Sequence, residues 1–211
     1  MRRFLPFLVV STFAVTPLAN GDTAFPYSSL GFSLGQVNLD EDIDVDVDTY
    51  SSLQLFAAEG SYQIDGGPFV SLSVSAAAED ESNSDIEIST FTLGGGLPVQ
   101  LHERADLVFQ AGFTSSEAEF CFDEPAGGQF CDDEDDSGLS YGLSARIWAF
   151  PGELGRFEIN PFVSDSTLDD AETTYGARAR VWFTGNHTAA LSFETSDDDD
   201  TVAVSYRYFW Q

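Results

Sequence analysis

The stretch Thr201 to Gln211, TVAVSYRYFWQ, narrows what this chain can become more than any other part of it. Read with a period of two, Val202, Val204, Tyr206, Tyr208 and Trp210 share one face, and Ala203, Ser205, Arg207 and Phe209 share the other. In a water-soluble sheet the face opposite the core would carry more charge than one Arg. An apolar face ending in a run of aromatics is the pattern of a strand that crosses hydrocarbon and stops at its interface.

Alternating segments about as long as a tilted membrane strand recur along the sequence. Leu30, Phe32 and Leu34 face one way in the first. In the second, Ser51 to Ile64, the apolar face begins with Leu53 and Leu55 and ends with Gly60, Tyr62 and Ile64, a slip of phase that calls for a bulge near Phe56 to Ala58. The third sets Val70, Leu72, Val74 and Ala76 against Phe69, Ser71, Ser73 and Ser75. For Tyr62 and Val70 to share a face the intervening turn must hold an odd number of residues, and three fit. In TFTLGGGLPVQLHERADLVFQAGF, Phe91, Leu93, Gly95 and Leu97 mirror Leu107, Phe109, Ala111 and Phe113. Further outward sets follow: Leu139 to Ile147, Phe157 to Val163, Tyr175 to Phe183, and Ala189 to Phe193. The count comes to about ten, with eight the alternative if the first or ninth is misread.

The terminal strand and the glycine-rich hairpin with its ADL restart resemble the small bacterial outer-membrane β-barrels, the OmpA- and OmpX-like proteins and their porin-like relatives. In those the chain ends in a membrane strand closing on Phe or Trp; here Gln211 follows Trp210. The resemblance spans residues 22–211 and implies an all-β, up-and-down antiparallel transmembrane barrel in the outer membrane of a Gram-negative bacterium. It implies outer-membrane lipid and, during biogenesis, the barrel-assembly machinery as partners. It also implies a non-enzymatic surface protein acting in surface interaction or envelope integrity, with a small porin-like channel as the alternative.

The first 21 residues fit an export role. Arg2 and Arg3 precede an apolar run from Phe4 to Leu18, and Ala19-Asn20-Gly21 offers a cleavage site, the layout of a signal peptide. Removing it takes the formal charge from −28 to −30, yet 43% hydrophobic and 14% aromatic residues argue against a disordered acidic chain. There is no Lys, and so acidic a surface disfavours nucleic acid.

Connections alternate in length. Asp65 to Gly67, Val99 to Arg104, Pro151 to Arg156 and Gly185-Asn186 are short; Asp40 to Thr49, Ala77 to Asp85, Ser115 to Gly138, Ser166 to Glu172 and Asp197 to Asp200 are long or acidic. Short turns face the periplasm in such barrels, which puts both termini there. Tyr208, Trp210, Trp148, Trp182 and Phe183 lie near strand ends on that side and suit an interfacial belt, although Trp148 and Trp182 face the lumen by parity.

Parity also turns Arg146, Arg178, Arg180 and Arg207 inward, with Glu59, Asp106, Glu158 and Glu194. Two readings follow: a lumen network of ion pairs, or an Arg-lined constriction for anions. Bulky residues on the later strands facing Ser, Gly and Thr on the earlier ones favour a filled interior. Cys121 and Cys131, flanked by Phe120, Phe122 and Phe130, suit a disulfide in an oxidising compartment, with no third Cys or nearby His for a metal. Acidic runs at Asp42 to Asp48, Asp132 to Asp136 and Asp197 to Asp200 match no EF-hand; they read as a solvated surface, with Asp132, Asp133, Asp135 and Asp136 a weak Ca²⁺ candidate. His102 and His187 both fall in short turns, away from any outer-rim acid, so no catalytic set and no cofactor is expected.

Overall fold

The computed structural model describes residues 25–45, 48–65, 67–80, 84–123, 129–152, 155–168 and 171–210. The export segment, Asp46 and Gln211 lie outside them. Ten strands follow in order: β1 Ser28–Val45, β2 Asp48–Gln63, β3 Phe69–Asp80, β4 Ser84–His102, β5 Ala105–Asp123, β6 Gln129–Gly152, β7 Gly155–Ser166, β8 Thr174–Thr184, β9 His187–Thr195 and β10 Asp199–Trp210. Each pairs antiparallel with its sequence neighbours, and β1 closes on β10 from Ser28↔Trp210 to Leu39↔Asp199. Closure leaves no sheet edge at the level of the shared wall, so the backbone polar groups there are satisfied within the chain.

The side-chain alternation sorts as hydrocarbon requires. Leu30, Phe32, Leu34, Leu72, Leu93, Phe109, Leu139, Val181, Leu191 and Val204 are all exposed on the outer face. The glycine-rich hairpin pairs Leu93↔Phe113, Gly95↔Ala111 and Leu97↔Phe109, so the two apolar faces meet in register. Between β2 and β3, Ile64 N–H bonds Pro68 O at 2.9 Å and Gly67 N–H bonds Ile64 O at 2.8 Å, closing a three-residue turn in which Asp65 takes a left-handed φ of 45°.

The expected bulge in β2 is not there. Register with β1 runs unbroken from Leu53 to Ser61 and with β3 from Gln54 to Gln63. The phase never slips, because Leu53 and Leu55 face inward and Phe56 and Tyr62 face lipid. With Val37, Tyr50, Ala77, Ile86, Ile88, Ala118 and Ala203 they form an aliphatic core inside the barrel, toward the end opposite the short turns. Tyr50 sits in it with its hydroxyl donating to Ser84 O at 2.6 Å.

The regions expected as long loops are largely strand. β5 and β6 stay paired out to Asp123↔Gln129, whereas β6 and β7 part at Ser140↔Ser166 and β1 and β10 part at Leu39↔Asp199. On that end, therefore, β1 to β6 rise as a wall above the rim made by β7 to β10, a wall divided where β2 and β3 part at Gln54↔Ala78.

Leu53→Ala should destabilise the folded barrel by about 2–5 kcal/mol, the cost of a large-to-small change in a packed core. Leu34→Ala, on the lipid face, should cost clearly less in urea titrations of vesicle-inserted protein. Equal losses would mean that Leu53 does not sit in a packed interior.

Candidate functional site: the charged lumen and the raised wall

An aromatic plug sits inside the barrel at its short-turn end. Phe25, Tyr27, Trp148, Trp182 and Phe209 form one buried cluster, with Phe25 stacked on Trp148 at 4.6 Å and Trp182 on Phe209 at 4.6 Å. Trp148 and Trp182 thus belong to this plug and not to a lipid-interface belt: their strands place them on the inward phase. Phe25 and Tyr27 come from the segment just before β1, which carries no alternation to announce an inward role. Tyr208, Trp210 and Phe183 do face outward on this end, where Tyr208 stacks on Trp210 at 6.2 Å and His187 Nδ1 lies 2.5 Å from the Tyr206 hydroxyl.

Directly above this plug the inward charges are brought together. Arg146 holds Glu158 by two bonds, Nε to Oε1 at 2.5 Å and NH2 to Oε2 at 2.7 Å. Arg180 NH1 donates to the same Glu158 Oε1 at 3.0 Å and Trp182 Nε1 to Oε2 at 3.1 Å. Glu158 on β7 is thereby shared by β6 and β8. Arg207 on β10 reaches across β1 to pair with Glu59 on β2. Gly31 makes that crossing possible, since a Cβ there would lie 3.1 Å from Arg207 Cγ. Arg178 and Glu194 form a looser pair at 3.9 Å.

Asp106 takes a different partner: the Tyr27 hydroxyl donates to its Oδ2 at 2.9 Å. The guanidinium of Arg146 lies 4.5 Å from the Phe25 ring and 5.1 Å from that of Tyr27, and those of Arg180 and Arg207 lie 5.6 and 5.8 Å from Phe209. Buried cation–π contacts of this kind contribute about 2 kcal/mol each. The ion pairs are thus seated on the plug. The lumen carries charge, with the aromatic cluster at its short-turn end and a largely aliphatic cluster toward the other.

On the raised wall Cys121 and Cys131 are a facing pair of β5 and β6 joined as a disulfide. Asp132 to Asp136 belong to β6, in extended strand. Alternation puts Asp133 and Asp135 on one face and Asp132 and Asp136 on the other, so these four carboxylates do not converge on one ion. Across the wall Glu87, Glu119 and Asp133 stand directly opposite one another on three adjacent strands, as do Glu117 and Asp135 on two. Like charges in that register repel. His102, at the end of β4, accepts from Arg104 N–H at 3.3 Å, in a short turn remote from these acids.

A closed ten-stranded wall with an apolar exterior accords with what comparison with known proteins finds. The model of the outer membrane protein β-barrel domain matches residues 5–209. The chain belongs to that family. As a member of it, it is an outer-membrane protein. No curated protein sequence matches it. Among solved structures, the β domain of the Bordetella autotransporter BrkA is 13% identical, with a TM-score of 0.56 over 88% of this chain and 99% of that one. Ail, the attachment invasion locus protein of Yersinia pestis, is 16% identical with a TM-score of 0.45, covering 86% and 97%. The KdgM porin in complex with disordered oligogalacturonate is 6% identical with a TM-score of 0.45, covering 87% and 99%. At these identities the likeness is one of fold.

Within this outer-membrane barrel, Glu158→Ala strands two buried guanidiniums and should cost about 3–5 kcal/mol of stability. Replacing Arg146, Arg180 and Glu158 together by Met, Met and Leu should cost much less than the single change. The comparison is read from urea titrations of vesicle-inserted protein. A triple variant weaker than Glu158→Ala would show that the network stabilises the fold beyond its own desolvation.

Proposed function

We propose that this protein is a non-conducting, non-enzymatic outer-membrane barrel whose raised wall of β1 to β6 faces outward and acts in surface interaction or envelope integrity. The observation that carries the reading is the interior. Every named inward Arg and acidic side chain lies between an aromatic plug and an aliphatic core, and each is nearly inaccessible to solvent. A porin needs a wetted path whose charges meet the passing ion, and Arg146, Arg180 and Arg207, at 0%, 2% and 1% exposure, meet carboxylates and aromatic faces instead. The interior thus favours the surface reading over the porin-like alternative.

The short turns mark the periplasmic end in single-chain bacterial barrels, which turns the wall toward the surroundings and leaves both histidines on the periplasmic side. A general base there lies at the opposite end from the acidic wall, which supports a non-enzymatic role. The acidic strands of the wall are what outside partners would meet.

Reconstituted in planar bilayers, the barrel should give no stable conductance, and Arg178→Ala should leave the trace silent. Steady unitary currents altered by Arg178→Ala would overturn the sealed reading in favour of a channel. The same preparation should migrate differently before and after boiling on a gel, which certifies that the silent species is folded.

A further inference from the structure

The wall of β1 to β6 cannot close on itself, and β6 is one of its sides. Beyond Ser140 that strand has β5 along one side, and no described strand lies along the other. Leu139 tells which backbone groups look that way: its N–H donates to Thr167 Oγ1 at 2.9 Å and its C=O accepts from Thr167 N–H at 2.8 Å, both away from β5. In an antiparallel ladder such groups alternate, so the N–H and C=O of Cys131, Asp133 and Asp135 point to the same open side. Together they offer roughly 15 Å of unpaired strand edge. Such an edge is a template for one more strand, and here the adjoining disulfide at Cys121–Cys131 holds it extended.

Its charge decides what can add. The side chains along the edge alternate between the two faces of the sheet, and from Asp132 to Asp136 every one is acidic. Glu117 and Glu119 on β5 back Asp135 and Asp133 on one of those faces. A second copy of the same edge would bring like charge against like at each position, a juxtaposition that costs several kcal/mol. Nor does the chain neutralise that charge nearby in sequence, because no Lys or Arg occurs between Arg104 and Arg146.

We infer that the open edge of β6 at Cys131 to Asp135 is a docking site for an extended, Lys- or Arg-rich segment of a partner protein, which adds as a strand beside it. Backbone bonds to Cys131, Asp133 and Asp135 hold the segment, and the acids on both faces select its charge. The inference deepens the surface-interaction reading, and its failure is separable from failure of that reading: loss of peptide binding says nothing of conductance, and conductance says nothing of the edge.

The probe is a labelled octapeptide of alternating Lys and Val, titrated by fluorescence anisotropy against the protein in zwitterionic nanodiscs at physiological salt. A control peptide of the same charge carries N-methyl groups on alternate residues, which removes its edge bonds. The unmodified peptide should bind at least about tenfold more tightly than the methylated one, the equivalent of about 1.4 kcal/mol. Asp135→Pro removes an edge N–H without touching a bond to β5, and should weaken binding well beyond Asp135→Asn, which removes only the charge. The boiled and unboiled gel shift shows that each variant is folded, and the methylated peptide needs no variant at all. Equal binding of the two peptides, no binding of either, or concentration-dependent pairing of the protein with itself at neutral pH would each overturn the proposal.

Discussion

Hydrocarbon offers no hydrogen bonds, and the rest of this structure follows from that. A chain that spans with strands must satisfy each N–H and C=O from a neighbouring strand, so the sheet closes, and Ser28 meets Trp210. Closure then fixes which side chains share the interior. With the apolar ones assigned to lipid, whatever remains on the inward phase must pack together, whether or not it looks like a core. In this chain the remainder sorts into three parts: aromatics at the short-turn mouth, charges directly above them, and aliphatics toward the far end.

The order of those parts has an energetic logic. A buried guanidinium is costly unless it meets an opposite charge, and Glu158 accepts from both Arg146 and Arg180 and also from Trp182. The aromatic faces beneath supply what the carboxylates do not, since Arg146, Arg180 and Arg207 each lie over a ring. The plug and the ion pairs are one construction: Tyr27 belongs to the aromatic cluster and donates its hydroxyl to Asp106 Oδ2. In this lumen the basic and acidic side chains pair with one another over the aromatic rings.

Much of the fold was legible because lipid imposes a strict period of two on one face. The outward sets of β3 to β10 and the register of the Leu93–Phe113 hairpin follow from that alone. Reading failed where the period loses its contrast. In β2 both phases carry apolar residues, so Leu53 and Leu55 looked lipid-facing until the unbroken pairing with Val37 and Ala77 turned them inward. Trp148 and Trp182 sit at strand ends, where composition favours a belt, but their phase puts them indoors. Phe25 and Tyr27 precede the first alternating segment and gave no period to read. The acidic runs read as loops because dense charge resembles solvated coil, yet in Asp132 to Asp136 it rides on paired strand.

That last point changes what the acidity means. Ladder bonds to β5 keep residues 129–138 extended, and the wall that results ends in an edge that closure elsewhere abolishes. A bare edge of this length on an apolar strand would invite the same edge of another molecule. Five consecutive acids remove that outcome by repulsion between identical surfaces, without using proline or a bulge to spoil the strand. Geometry alone would leave the edge indiscriminate, and charge alone would leave the surface merely repulsive. Together they make an edge that excludes its own kind and stays open to an extended segment of opposite sign.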